Sequence, residues 1–322
     1  MSTIDHCVLQ QRDQAIDFVK IIAVLFVLNS HMGVCYPRWS FLATGGGIGD
    51  ALFFFISGFT LFLGRPLPFV DWYKRRIRRI YPALFATALL ASFIFGQTDS
   101  FSSIVLSRRY WFVQCILVLY PILFLIKSYC RNPVPLFCCV VFLSLACFPL
   151  FYKGSGLFYG GGYYRWFVYF SFMLFGAILG QRRNDLGSFS PYYCISLLFC
   201  TFAWYLVVYY TNRSVWQICS VIPLFGVVYS FYMIGRCELV TSLFTSKVWG
   251  SLASSIGGLC LECYLVQKYV ITDKLNFMFP MNILIIILLV LIVSYCVHIL
   301  SQIISQLFDS KPFDYRSLFV VK

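Results

Sequence analysis

Two side chains able to do acid–base or anion chemistry interrupt one apolar run. Asp17 to Val34 reads DFVKIIAVLFVLNSHMGV, with Lys20 and His31 eleven positions apart. That is about three helical turns at roughly 100° per residue, so the two share a face about 16 Å apart along the axis. Asp17, three residues before Lys20, can pair with it. A charge near the middle of a membrane costs at least about 2.5 kcal/mol, which makes such residues functional suspects. An imidazole, largely neutral near pH 7, can accept a hydroxyl proton, and an ammonium can hold an anion. The plainer alternative is that Lys20 snorkels to headgroups and His31 sits idle in the interface.

Further candidates follow along the chain. Asp50 opens the run GGGIGDALFFFISGFTLFLG, near His31 in depth if the two segments are antiparallel. There it either hydrogen-bonds the imidazole or complements a helix N-terminus. The glycines before it have no Lys-Ser/Thr pair, so they form no P-loop; Ser57 and Gly58 read as packing residues rather than a nucleophile. Lys74, Arg75, Arg76, Arg78 and Arg79 crowd one connection. They are either a positive-inside determinant on anionic lipid or a site for a polyanion such as coenzyme A, since arginine forks suit phosphate oxygens. Glu262 lies deep in an apolar segment and must pair, protonate or line a polar cavity. Arg108, Arg109, Trp111 and Arg165 could line a glycan site or belong to an interfacial aromatic belt. His6 and His298 lack comparable company, and no role is assigned to either.

The elements that must position these residues are membrane helices. With 60% hydrophobic and 11% charged residues and a mean hydropathy of +0.81, the chain is no water-soluble globule. Its net charge of +13 sits beside apolar runs, where it sets topology and meets anionic headgroups, so a nucleic-acid partner is rejected. The fourteen cysteines fall mostly inside the runs and suggest no disulfide framework. Cys260 and Cys263 form a CxxC without the further ligands a metal site needs. Runs of about 17 to 25 apolar residues predict ten spans, near 16–35, 47–64, 81–97, 107–126, 134–152, 163–180, 191–210, 215–235, 250–271 and 281–305. The first reads as a retained span rather than a cleaved leader. The expected fold is all-α: one membrane-embedded domain over 1–322, with short tails at about 1–15 and 307–322. Lysine and arginine gather on alternate connections, which predicts both termini in the cytoplasm.

Lys20-x10-His31, the stretch from Asp50 to Phe59 (DALFFFISGF) and Arg76-Ile77-Arg78-Arg79-Ile80-Tyr81-Pro82 resemble successive signatures of the membrane-bound acyltransferase 3 family, particularly its sugar O-acetyltransferases. Looser likenesses follow at Tyr110-Trp111-Phe112, between Trp166 and Ala177, and from Leu261 to Gln267. Lys20 stands where the family commonly has Arg, which keeps the charge and loses the planar fork. Gln267 stands where it usually has His, and no acid–base role is assigned to it.

The resemblance implies an O-acyltransferase integral to the cytoplasmic (inner) membrane, crossing it many times. It would move an acyl group, most simply acetyl, from cytoplasmic acyl-CoA to a hydroxyl of an envelope glycan or lipid-linked sugar. A thioester is already activated, so no metal or tightly bound cofactor is expected. His31 would act as general base, with Asp50 and Glu262 in the catalytic cavity. Lys20, Arg76 and Arg79 would bind the donor's phosphates, and Arg108, Arg109, Trp111 and Arg165 the acceptor. The rival from another class is a transporter or exporter of acylated sugar with His31, Asp50 and Glu262 as a proton relay. Such folds favour internal repeats, and none is visible by eye.

Overall fold

The computed structural model describes residues 13–98, 100–152, 162–187, 190–211, 215–309 and 312–321. The described residues are helical or loop. In chain order the principal helices are α1 (Gln14–His31), α2 (Gly46–Leu63), α3 (Phe69–Phe95), α4 (Trp111–Tyr129), α5 (Val134–Phe151), α6 (Tyr164–Gln181), α7 (Pro191–Thr211), α8 (Val221–Gly235), α9 (Lys247–Gly258), α10 (Cys260–Val270) and α11 (Met281–Leu307). Among the described residues eight helices are long and apolar enough to cross a membrane, making this a multi-pass membrane protein.

Two of the ten expected spans take another form. The segment near 163–180 is a helix, α6, whose polar ends (Tyr164, Arg165 and Gln181) dilute its hydropathy. The segment near 250–271 is broken at Leu259 into α9 and α10, of 12 and 11 residues. Gly257 and Gly258 precede the break, where glycine weakens a helix. The third expected span begins earlier than its apolar run, because α3 starts at Phe69 and carries the basic cluster within it. Trp72 and Ile80 on that stretch are buried, so one face of the charged segment is apolar and helical periodicity survives.

α1 stands between two apolar cores. Ile16, Val19 and Ala23 face the larger one, built mainly from α2, α4, α6 and α8; Val24, Leu28 and Met32 face a second one with Cys263, Val266, Ile286 and Val290 of α10 and α11. The closest helix pair is α2 with α6, where a Cβ added to Gly58 would overlap the Met173 carbonyl and one at Gly176 the Phe55 carbonyl. Backbones that close are possible only with glycine there. The lipid side shows its own periodicity: Leu284, Leu288 and Ile292 of α11 are exposed while Ile286, Val290 and Ser294 are buried.

Helix directions alternate, which gives the bundle two distinct ends. Gly235 meets Ala15 at the start of α1, Arg236 bonds the Arg183 and Leu186 carbonyls, and Lys127 donates to Leu61 and Gly64 carbonyls at the end of α2. This is the basic end; it also holds the Lys74–Arg79 cluster. At the far end Asn29 bonds the Leu42 and Thr44 carbonyls, Tyr210 reaches Thr44, and Asn276 and Asn282 bond the Val34 and Cys35 carbonyls.

Candidate active site

The helix break builds the basic-end site. Lys20 pairs with Asp17 at 3.1 Å, as their spacing predicts, and both lie against Gly257, where a Cβ would come within 3.2 Å of Lys20 Cδ. One residue on, the Gly258 carbonyl accepts a hydrogen bond from Arg79 Nη2. Arg79 also spans the Glu262 carboxylate, with Nη1 3.3 Å from Oε1 and Nη2 3.5 Å from Oε2. Glu262 is fully buried and thus has the partner that its position demands. His298 of α11 is its second neighbour, Nδ1 lying 3.5 Å from Oε1. The other imidazole nitrogen faces the Val320 carbonyl at 3.4 Å, in the segment after α11. Lys20, Arg79 and Glu262 all lie within electrostatic range of Cys260.

Arg76 serves a different neighbourhood. Three residues before Arg79, it points about 60° round the helix, packs over the Trp72 ring at 5.3 Å and lies within electrostatic range of Tyr120 and Lys127. Its Nε is buried without a hydrogen-bond partner. An unused buried guanidinium donor is costly and is the feature an anion would relieve.

Between the two ends a small, tightly packed apolar gap lies between Val24, Val27 and Leu28 of α1 on one side and Cys260, Cys263 and Tyr264 of α10 on the other. His31 closes α1 just beyond it and is exposed, with no hydrogen bond to a described residue.

Of the two readings of Asp50, the hydrogen bond to His31 is not formed. Gly49 is the residue of α2 that packs on Ala23 and Val27 of α1, so Asp50, about 100° further round, faces α6 instead. It accepts from the Tyr169 hydroxyl at 3.4 Å and lies within electrostatic range of Arg165. Tyr169 stacks on Phe54 and Trp111, and the Arg165 guanidinium lies 3.8 Å over the Trp111 ring. Thus Trp111 and Arg165 join Asp50 in one cluster. Arg108 and Arg109 lie exposed on the connection before α4, where Arg109 reaches Gln97.

A family model described as an acyltransferase domain matches residues 13–299. The chain belongs to this acyltransferase family. Within a 91-residue stretch the acyltransferase is also 33% identical to a protein named O-acetyl transferase from Shigella phage Sf6, a stretch that covers 26% of this chain and 27% of that relative. The chain thus matches about a quarter of that relative's length. No solved structure matches the chain.

Three residues of the acyltransferase's candidate site escaped the sequence. His298, assigned no role, touches Glu262 from 36 positions away, and a lone histidine in an apolar helix gives no sign of that contact. Tyr169 had no signal beyond being one aromatic among many. Asn29, which ties the α1–α2 connection beside His31, was legible as a polar residue inside an apolar run. His6 lies outside the described residues.

Proposed function

We propose that this acyltransferase is a membrane O-acetyltransferase that moves an acetyl group from cytoplasmic acyl-CoA to a hydroxyl of an envelope or exported sugar. The observation that carries the proposal is the division of labour along α1. A basic site with unused guanidinium capacity lies at one end, His31 lies at the other, and apolar residues of α1 and α10 pack between their levels. Family membership supplies the reaction class, and the phage relative's name supports acetyl transfer to oxygen.

In this reading the basic end faces the cytoplasm. Arg76 takes donor phosphate first, since its Nε is free, while Arg79 is oriented by Glu262 and Lys20 by Asp17. The acceptor sits at the far end against Trp111 and Arg165, an aromatic face beside a fork of donors, with Arg108 and Arg109 at its exposed edge. His31 removes the hydroxyl proton as that oxygen attacks the thioester carbonyl. The carbon–sulfur bond breaks, and the imidazolium returns the proton to the departing thiolate. Asp50 serves the acceptor pocket through Tyr169 and Arg165 rather than the imidazole. A proton relay for a transporter would join His31, Asp50 and Glu262, whereas Asp50 and Glu262 bond different partners and His31 bonds neither of them.

The test is His31→Gln, which keeps size and hydrogen bonding and removes basicity. Acetyl incorporation into membrane glycan from labelled acetyl-CoA should fall about 100-fold or more, the usual size of base catalysis, with acetyl-CoA binding retained. Near-normal turnover in a folded variant overturns the mechanism.

A further inference from the structure

Away from the Arg79–Glu262 pair, a second group of cations gathers where the basic ends of α2, α3 and α4 meet. Phe69 of α3 lies 5.1 Å from Phe124 of α4, and the Tyr73 hydroxyl donates to the Leu117 carbonyl at 3.1 Å, so the two helices run antiparallel. Trp72 packs on Phe124 at 5.2 Å and on Tyr120 at 6.3 Å, and Lys127 continues that stripe of α4 by one turn. Side chains on a helix lean toward its N-terminus. On these antiparallel neighbours Arg76 therefore leans back over the Trp72 ring while Lys127 leans up toward it. The two cations lie within electrostatic range of each other, and both are half-buried at the basic end.

Neither cation pairs with a carboxylate among the described residues, whereas Lys20 and Arg79 are neutralised by Asp17 and Glu262. Asp71, the acid nearest in sequence, is exposed and about 100° round α3 from Trp72. The donors are also incompletely used. Lys127 Nζ gives two of its three N–H groups to the Leu61 and Gly64 carbonyls. Arg76 Nε and Trp72 Nε1, one turn apart on the same face of α3, are buried with no hydrogen-bond partner. Unused buried donors beside two uncompensated positive charges destabilise a fold until an anion accepts from them.

We propose that Trp72, Arg76 and Lys127 form a subsite for a phosphate monoester dianion, through which the acyltransferase selects a donor carrying the 3′-phosphate of coenzyme A. This rests on the reading of the donor as acyl-CoA. A monoester places close to two negative charges and three free oxygens on one phosphorus near pH 7, which matches two converging cations and three available donors. The phosphates of the pyrophosphate bridge carry less charge apiece and have chain on both sides. They are left to the level of Lys20 and Arg79, where Asp17 and Glu262 already offset the charge. Arg76 and Arg79 are about 4.5 Å apart along α3 and about 60° apart round it, and the ribose that links the 3′-phosphate to the pyrophosphate spans a comparable distance.

The experiment uses the full-length protein in detergent without added lipid and reads displacement of radiolabelled acetyl-CoA by CoA and by 3′-dephospho-CoA. Wild type should prefer CoA about a hundredfold, the worth of two charge-assisted hydrogen bonds at about tenfold each. Lys127→Met should cut that preference about tenfold by weakening CoA while leaving 3′-dephospho-CoA unchanged, and Lys127→Arg should restore most of it. A lysine with a merely structural role would weaken both ligands alike. Trp72→Phe keeps an aromatic ring and drops the N–H, so it should lower the preference about fivefold, and it decides alone if Lys127→Met does not accumulate. Equal affinity of wild type for the two ligands, or an unchanged preference in the variants with acetyl-CoA still bound, overturns the assignment. The cations then serve topology or lipid headgroups, and the acetyltransferase reading stands. Wild-type protein that binds no acetyl-CoA overturns that reading and the assignment with it. Failure of both variants to accumulate also overturns the assignment, because ligand-directed donors are dispensable for folding.

Discussion

Arg76 and Arg79 lie in one sequence motif, and the structure separates their work. Arg79 neutralises the fully buried Glu262, while Arg76 keeps an unpaired Nε beside Trp72. Breaking a buried ion pair costs about 3–5 kcal/mol, less here because the Arg79 side chain is 41% exposed. Arg79→Gln should therefore lower the melting temperature in detergent, and adding Glu262→Gln should restore part of the loss, the signature of a coupled pair. Arg76→Gln should leave melting nearly unchanged and weaken acetyl-CoA binding, with the gap from wild type narrowing as salt rises. If Arg76→Gln binds acetyl-CoA normally across the salt series, the arginine serves topology alone. At this scale the sequence was informative where partners are close along the chain, as for Asp17 with Lys20. It was silent where they are distant, as for Asp50 with Tyr169, 119 positions apart.

Elements were legible in proportion to how plainly lipid dictates their composition. α5 and α7 bury few of their residues and are apolar along nearly their whole lengths, and their expected bounds lie within a residue of the observed ones. α3 extends twelve residues before its expected start because its charged first half hides an apolar face. The break at Leu259 was hidden because the run 250–271 has the length of a span, and hydropathy does not register a change of backbone direction. The glycines of the α2–α6 contact gave a clearer signal, since Ser57-Gly58 and Gly176-Ala177 are small residues in otherwise bulky spans. Gly58→Leu or Gly176→Leu would force these backbones apart, and overpacking of this kind costs about 1–3 kcal/mol or more. Folded protein recovered from membranes should fall sharply for either variant, while Gly187→Leu, whose surroundings are open, should be neutral. Equal recovery of all three would show that the two helices do not need so close a contact.

For the whole molecule, the described chain begins at Asp13 and α11 ends at Leu307 on the same face, with the connections after α2, α4, α6 and α8. These connections and the start of α3 hold Arg65, Lys74, Arg75, Arg76, Arg78, Arg79, Arg131, Arg182, Arg183 and Arg236, whereas the far-end cations among the described residues are fewer: Arg38, Arg108, Arg109, Arg165, Lys268 and Lys274. Short connections rich in Lys and Arg are retained in the cytoplasm, so the basic end should face inward and His31 outward. A periplasm-active reporter fused after Pro68 should be silent, and one inserted between Thr272 and Pro280 should be active. The connection at 155–162, expected on the outer side and almost wholly outside the described residues, should also be active. The two ends carry different chemistry, so orientation decides which substrate each can meet: acyl-CoA is made in the cytoplasm and reaches only an inward-facing Arg76. Activity after Pro68 with silence at Thr272 would turn the molecule over, place Arg76 and Arg79 outside, and remove the basis for a cytoplasmic donor.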